Sequence, residues 1–65
     1  MTTLKYTSST HGSDSVSIKN RISYYLDNEN FTATDDGLVQ FNEELTKDQI
    51  IKTDAAMASL GYIRI

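Results

Sequence analysis

The sequence predicts an α+β fold, with two helices on one face of a four-stranded antiparallel sheet. Three observations predict it. A β-hairpin signature occupies mid-chain, from Phe31 to Phe41. A stretch of helical periodicity lies on either side of it. Short alternating segments stand near the two ends.

Residues 3–8, Thr-Leu-Lys-Tyr-Thr-Ser, alternate and are rich in Thr and Tyr, reading as a strand with Leu4 and Tyr6 inward. Ser8 to Ser13 is a loop by composition. Ser13 or Asp14 can then cap a first helix running roughly from Asp14 to Asn28, its early Asp suited to the positive end of the helix dipole. Ile18, Ile22, Tyr25 and Leu26 form one apolar stripe at i, i+4, i+7 and i+8. Val16, Lys19, Asn20, Arg21 and Tyr24 fall elsewhere on the wheel and are expected at the surface. Asn28-Glu29-Asn30 ends the helix.

The hairpin register follows from its turn. Asp35-Asp36-Gly37 has the chemistry of a three-residue loop: a type I turn, then a left-handed residue that Gly adopts without a Cβ clash. Closing that loop on Thr34 and Leu38 pairs Ala33 with Val39 and Phe31 with Phe41, all on one face. A two-residue loop at Asp36-Gly37 would mix the faces, because side chains alternate with a period of two. Thr32, Thr34, Leu38 and Gln40 take the other face.

Asn42-Glu43-Glu44 links to the second helix, which opens on a capping box in Thr46-Lys47-Asp48-Gln49 with Leu45 and Ile50 placed as a hydrophobic staple. The helix is expected to reach about Leu60, with an apolar arc of Ile50, Ile51, Ala55, Met57 and Ala58. Gly61 reads as a left-handed stop, with Tyr62 folding back on Met57. Tyr62-Ile63-Arg64-Ile65 alternates as a last strand, with Ile63 and Ile65 expected inward.

The order β-α-β-β-α-β with two right-handed crossovers describes the split βαβ, or ferredoxin-like, sandwich. The first and third strands are then central and the second and fourth are edges. A second arrangement leaves the first residues out of the sheet, giving three strands. Residues 1–65 make a single domain, and so short a chain buries a modest core. This fold hosts many functions, so the function must come from side chains.

Those side chains exclude more than they assert. With no Cys and one His, the chain has neither a disulfide staple nor a thiolate metal site, and no metal or cofactor is expected. His11 reads as a solvated loop residue. Gly12-Ser13 reads as a turn and cap, because Asp14 would repel a phosphate there. The pairs Asp35/Asp36 and Glu43/Glu44 suit turns and solvation, and a domain this small offers little cleft for acid–base chemistry. The chain is therefore not expected to be an enzyme. No apolar run approaches the ~20 residues of a membrane span, and the start has no apolar signal region. A cytoplasmic protein without membrane contact fits. The net charge of −3 argues against nucleic acid, which is held by clustered Lys and Arg. So does the open sheet face of Thr3, Lys5, Thr7, Leu38 and Gln40, which has no aromatic to stack a base.

What remains is binding. Tyr6 and Tyr25 are expected in the core with a wet hydroxyl, and Tyr62 as a helix-cap contact. Asp54 interrupts the second helix's apolar arc and reads as a carboxylate at its rim, paired with a neighbouring Lys, because burial without a partner would be costly. Tyr24 and Arg21, with Val16 and Asn20, put interface-type residues on the first helix's outer face. The expectation is a small acidic non-enzymatic module, of the regulator or inhibitor kind seen by analogy among small phage proteins. It would occupy a partner protein's surface or associate with itself. The alternative is a small-ligand or nucleotide-binding domain with a pocket between subunits.

Overall fold

The computed structural model describes residues 1–8, 14–28 and 30–65. His11, Gly12, Ser13 and Glu29 lie outside them, and with them the readings made of that loop. The elements run β1 (Thr2–Ser8), α1 (Ser15–Leu26), β2 (Phe31–Ala33), β3 (Leu38–Phe41), α2 (Lys47–Ala58) and β4 (Tyr62–Arg64). One antiparallel sheet has the order β2-β3-β1-β4, so β1 and β3 are central. That order fits the split βαβ arrangement. β1 belongs to the sheet along its whole length, which removes the three-strand alternative.

The central hairpin has the expected register: Phe31 opposite Phe41, Thr32 opposite Gln40 and Ala33 opposite Val39. Gly37 N–H donates to the Thr34 carbonyl at 3.1 Å and Thr34 N–H to the Leu38 carbonyl at 3.0 Å, closing a three-residue loop. Gly37 has φ 94°, in the left-handed region. A Cβ there would lie 2.6 Å from the Tyr6 carbonyl oxygen, so the absence of a side chain also lets β1 approach the turn. The Phe31 and Phe41 rings pack with centroids 4.9 Å apart.

Both helices cover one face of the sheet. The core joins Leu4, Tyr6, Phe31, Val39, Phe41 and Tyr62 of the strands to Ile18, Ile22, Ala56 and Met57 of the helices. α1 is capped by Asp14, whose side chain accepts from Ser17 N–H at 2.8 Å. It stops at Asp27, which turns left-handed at φ 53°, so the helix is shorter at both ends than expected. The α2 capping box is present in both directions: Gln49 N–H donates to Thr46 Oγ1 at 3.2 Å, and Thr46 N–H to Gln49 Oε1 at 2.9 Å. α2 ends at Ala58, a little before Leu60, and Gly61 takes φ 87° in the turn that follows.

Three expectations about burial need correction. In β4, Tyr62 is buried, whereas Ile63 and Ile65 are 65% and 83% exposed, the reverse of the expected face. One large ring fills the core better than two residues at the chain end, and its hydroxyl finds the Asp35 carbonyl at 3.2 Å. Tyr62 is thus a core residue rather than only a cap. In α2, Ile51, Ala55 and Ala58 are exposed, Ile50 is partly covered, and the buried residues are Thr53, Ala56 and Met57. Thr53 tolerates burial because its hydroxyl donates to the Gln49 carbonyl one turn back, at 2.8 Å. In α1, Ile18 and Ile22 are fully buried but Tyr25 is 37% exposed at the rim of the stripe. Its ring turns outward to meet Tyr24 edge-on, centroids 5.9 Å apart.

Candidate functional site

α1 presents its outer face because Ile18, Ile22 and Leu26 commit the other side to the core. Val16 and Tyr24 are exposed large side chains on it, Tyr24 at 86%. Asn20, Arg21 and Tyr24 line one side of an open groove of about 330 Å³, together with Ser17. The far wall is Leu60, just past the end of α2. The structure therefore brings three of the four expected contact residues into one groove. Val16 is exposed on the same helix but is not among the groove's lining residues.

Arg21 sets the groove's electrostatics. Its Nη1 donates to Ser59 Oγ at 3.2 Å, a bond from α1 across to the end of α2. The Ser59 hydroxyl in turn donates to the Ala56 carbonyl at 2.6 Å. Among the described residues the ion pairs are Met1 with Glu44, Lys52 with Asp48 and Arg64 with Asp54, and none includes Arg21. A guanidinium has five donor hydrogens in a fixed fork, so one bond to Ser59 leaves donors for a further acceptor in the groove that Arg21 lines. Ser17, Ser59 and Leu60 were not anticipated as site residues. Ser17 sits one turn before Arg21 and was within reach of a helical-wheel argument. Ser59 and Leu60 meet α1 only through tertiary packing.

The open sheet face differs from the expected one. Thr3, Lys5, Thr7, Leu38 and Gln40 lie there, joined now by Ile63, opposite Thr7. Ile65 N–H donates to the Lys5 carbonyl at 2.9 Å, extending the pairing beyond β4. Lys5, Leu38 and Ile65 flank a hollow of about 270 Å³ next to Gly37 and Asp36. The strand aromatics Tyr6, Phe31, Phe41 and Tyr62 all face the helices.

Polar side chains at the layer's edges are structural. Asp54 accepts from the Tyr6 hydroxyl at 2.6 Å and pairs with Arg64 Nε at 3.3 Å. It ties α2 to β1 and β4, so its partner is an Arg of the last strand rather than a neighbouring Lys. Burial, and then the hydrogen bond to Asp54, push the Tyr6 hydroxyl's pKa well above its ordinary value, which keeps it a donor. Asp35 serves two elements: its carboxylate accepts from Ser15 N–H at 2.6 Å at the start of α1, and its carbonyl accepts from Tyr62. Hydrogen bonds from Ser17, backbone N–H first, hold the Asp14 carboxyl below the usual range. Among the described residues no three His, Cys, Asp or Glu side chains come together as metal ligands. Among the described residues no helix is long and apolar enough to cross a membrane.

No family model, curated protein or solved structure matches the chain.

Proposed function

We propose that the protein is a non-enzymatic interaction module, acting as a regulator or inhibitor by occupying a partner protein's surface with the outer face of α1. The observation that carries this is the state of Tyr24. It is the most exposed aromatic, supported edge-on by Tyr25, and it shares a groove with an Arg that has no carboxylate partner among the described residues. Tyr and Arg are the residues that most often carry interface energy, because each combines a large contact area with hydrogen bonding. Neither contributes to the core here, so their exposure costs the fold nothing and leaves them available. Affinity capture with the intact chain, compared with the double variant Arg21→Ala/Tyr24→Ala, tests the reading. Loss of the partner from the double variant is expected; full recovery moves the site off α1.

Self-association through the open sheet face is a second reading with its own support. Ile63 and Ile65 stand exposed, Ile65 beside Leu38 and Ile63 opposite Thr7, on a sheet side that no helix covers. β4 is a short edge strand and carries Arg64, which discourages open-ended strand addition. Stacking of two such faces would bury these isoleucines and give a small core additional burial. Light scattering over a wide concentration range separates a monomer from a dimer. A small ligand held between subunits would need that dimer first.

A further inference from the structure

The groove between α1 and the end of α2 has a narrower chemistry than a general contact surface. We propose that it docks an acidic segment of a partner protein, an Asp or Glu flanked by an apolar residue, with the carboxylate received by Arg21. This rests on the reading of α1 as the partner-binding face and names the chemistry of what binds there. Charge complementarity carries it. The chain has nine acidic and six basic side chains, yet α1 contains Lys19 and Arg21 and no acid at all. Among the described residues, Arg21 is the single charged one lining the groove, with Ser17, Asn20, Tyr24 and Leu60. Its bond to Ser59 ties the guanidinium to the end of α2, so less side-chain freedom is lost when a carboxylate arrives. A guanidinium fork matches a carboxylate with two parallel bonds. Asn20 adds an amide donor, and the Leu60 side chain and the Tyr24 ring give apolar walls for the flanking residue.

Lys19 belongs to the opposite flank. Its ammonium lies over the Phe31 ring, 5.5 Å from the centroid, so it does not join Arg21 in a cationic cluster. One guanidinium on a chain of net charge −3 suits a single carboxylate better than a polyanion, which is held by many cations at once.

The test uses the intact chain and short random peptides displayed for selection, followed by fluorescence anisotropy on the peptides recovered. Enrichment of Asp or Glu next to an apolar residue is expected. Arg21→Gln should then weaken binding about tenfold or more, the scale of a lost charge-assisted pair. Arg21→Lys should restore part of the loss. Lys19→Gln removes the same charge from the other flank and should stay within about twofold, as for a surface change outside the site. Circular dichroism of each variant confirms that the exposed substitutions leave the fold intact. Neutral or basic peptides, or none, would overturn the proposal. So would acidic peptides that ignore Arg21→Gln or respond equally to Lys19→Gln. Tighter Arg21-dependent binding of a single-stranded oligonucleotide would replace the acidic segment with nucleic acid. Self-association abolished by Arg21→Gln would replace it with a second copy. Peptides of any charge that lose affinity in Tyr24→Ala but not in Arg21→Gln would sink the acidic docking alone and leave α1 as the binding face.

Discussion

Gly37 and Asp54 show how single positions hold distant elements in place. At Gly37 a side chain would meet both an unfavourable φ and the Tyr6 carbonyl oxygen. Gly37→Val should therefore cost at least about 1–3 kcal/mol, the scale of backbone strain alone. In a domain of this size each kcal/mol lowers the melting temperature by roughly 4–8 °C, so an unchanged melting curve would contradict the left-handed turn. Asp54 works through its partners. Asp54→Ala leaves the Tyr6 hydroxyl and the Arg64 guanidinium without their acceptor, a loss of about 1–3 kcal/mol. Adding Tyr6→Phe should cost less in that background than in the native protein, because the hydroxyl's acceptor is already gone. Purely additive losses in a double-mutant cycle would mean that the two side chains do not communicate. The raised pKa of Tyr6 also has a sign. Its contribution is present in full below the unfolded tyrosine pKa of about 10 and declines as the pH rises above it. Alkaline unfolding should therefore shift to higher pH in Tyr6→Phe, relative to that variant's own neutral stability.

Local chemistry made the elements legible, and tertiary packing decided which face each one buries. The hairpin was readable because Asp35-Asp36-Gly37 dictates loop length and period-two alternation carries the register onward to Phe31 and Phe41. The α2 start was readable because a capping box needs only four residues. Thr46→Ala should cost about 1 kcal/mol, seen as faster amide exchange in the first turn of α2. The α1 start should respond to acid. The Asp14 carboxyl is depressed in the fold, so its cap is present in full above the ordinary Asp range near 3.9 and is lost as the pH falls below it. Helical signal from α1 should fall over that range, and Asp14→Asn should flatten the dependence. β4 was not readable. In Tyr62-Ile63-Arg64-Ile65 either parity buries something apolar. The choice was made by the Asp35 carbonyl, which takes the Tyr62 hydroxyl, and by Asp54, which takes Arg64. Neither neighbour is local. Ile63→Lys tests the outcome: an exposed position should change stability by no more than about 0.5 kcal/mol, whereas an inward Ile63 would make it ruinous. The same limit applies to α2, where burial of Thr53 depends on a carbonyl one turn back and on what packs opposite.

At the scale of the whole molecule, a 65-residue chain without Cys has one modest core and two surfaces that the core does not use. Asn20, Arg21 and Tyr24 were legible as a helix face from the wheel. Their groove was not, because Leu60 reaches it, and Ser59 reaches Arg21, from 35 or more positions along the chain. The sheet face was legible in its Thr-rich strands but not in its isoleucines, which came with the parity of β4. These two surfaces make separate claims, the helix face for a partner and the sheet face for a second copy. Amide protection measured on the isotope-labelled chain, free and bound to its captured partner, distinguishes them most directly. Protection gained along residues 16–26 and around Leu60, with the amides of Thr32, Gln40 and Ile63 unchanged, is the expected result. Protection concentrated on the sheet residues, with α1 exchanging as in the free protein, would contradict a partner bound through the helix face.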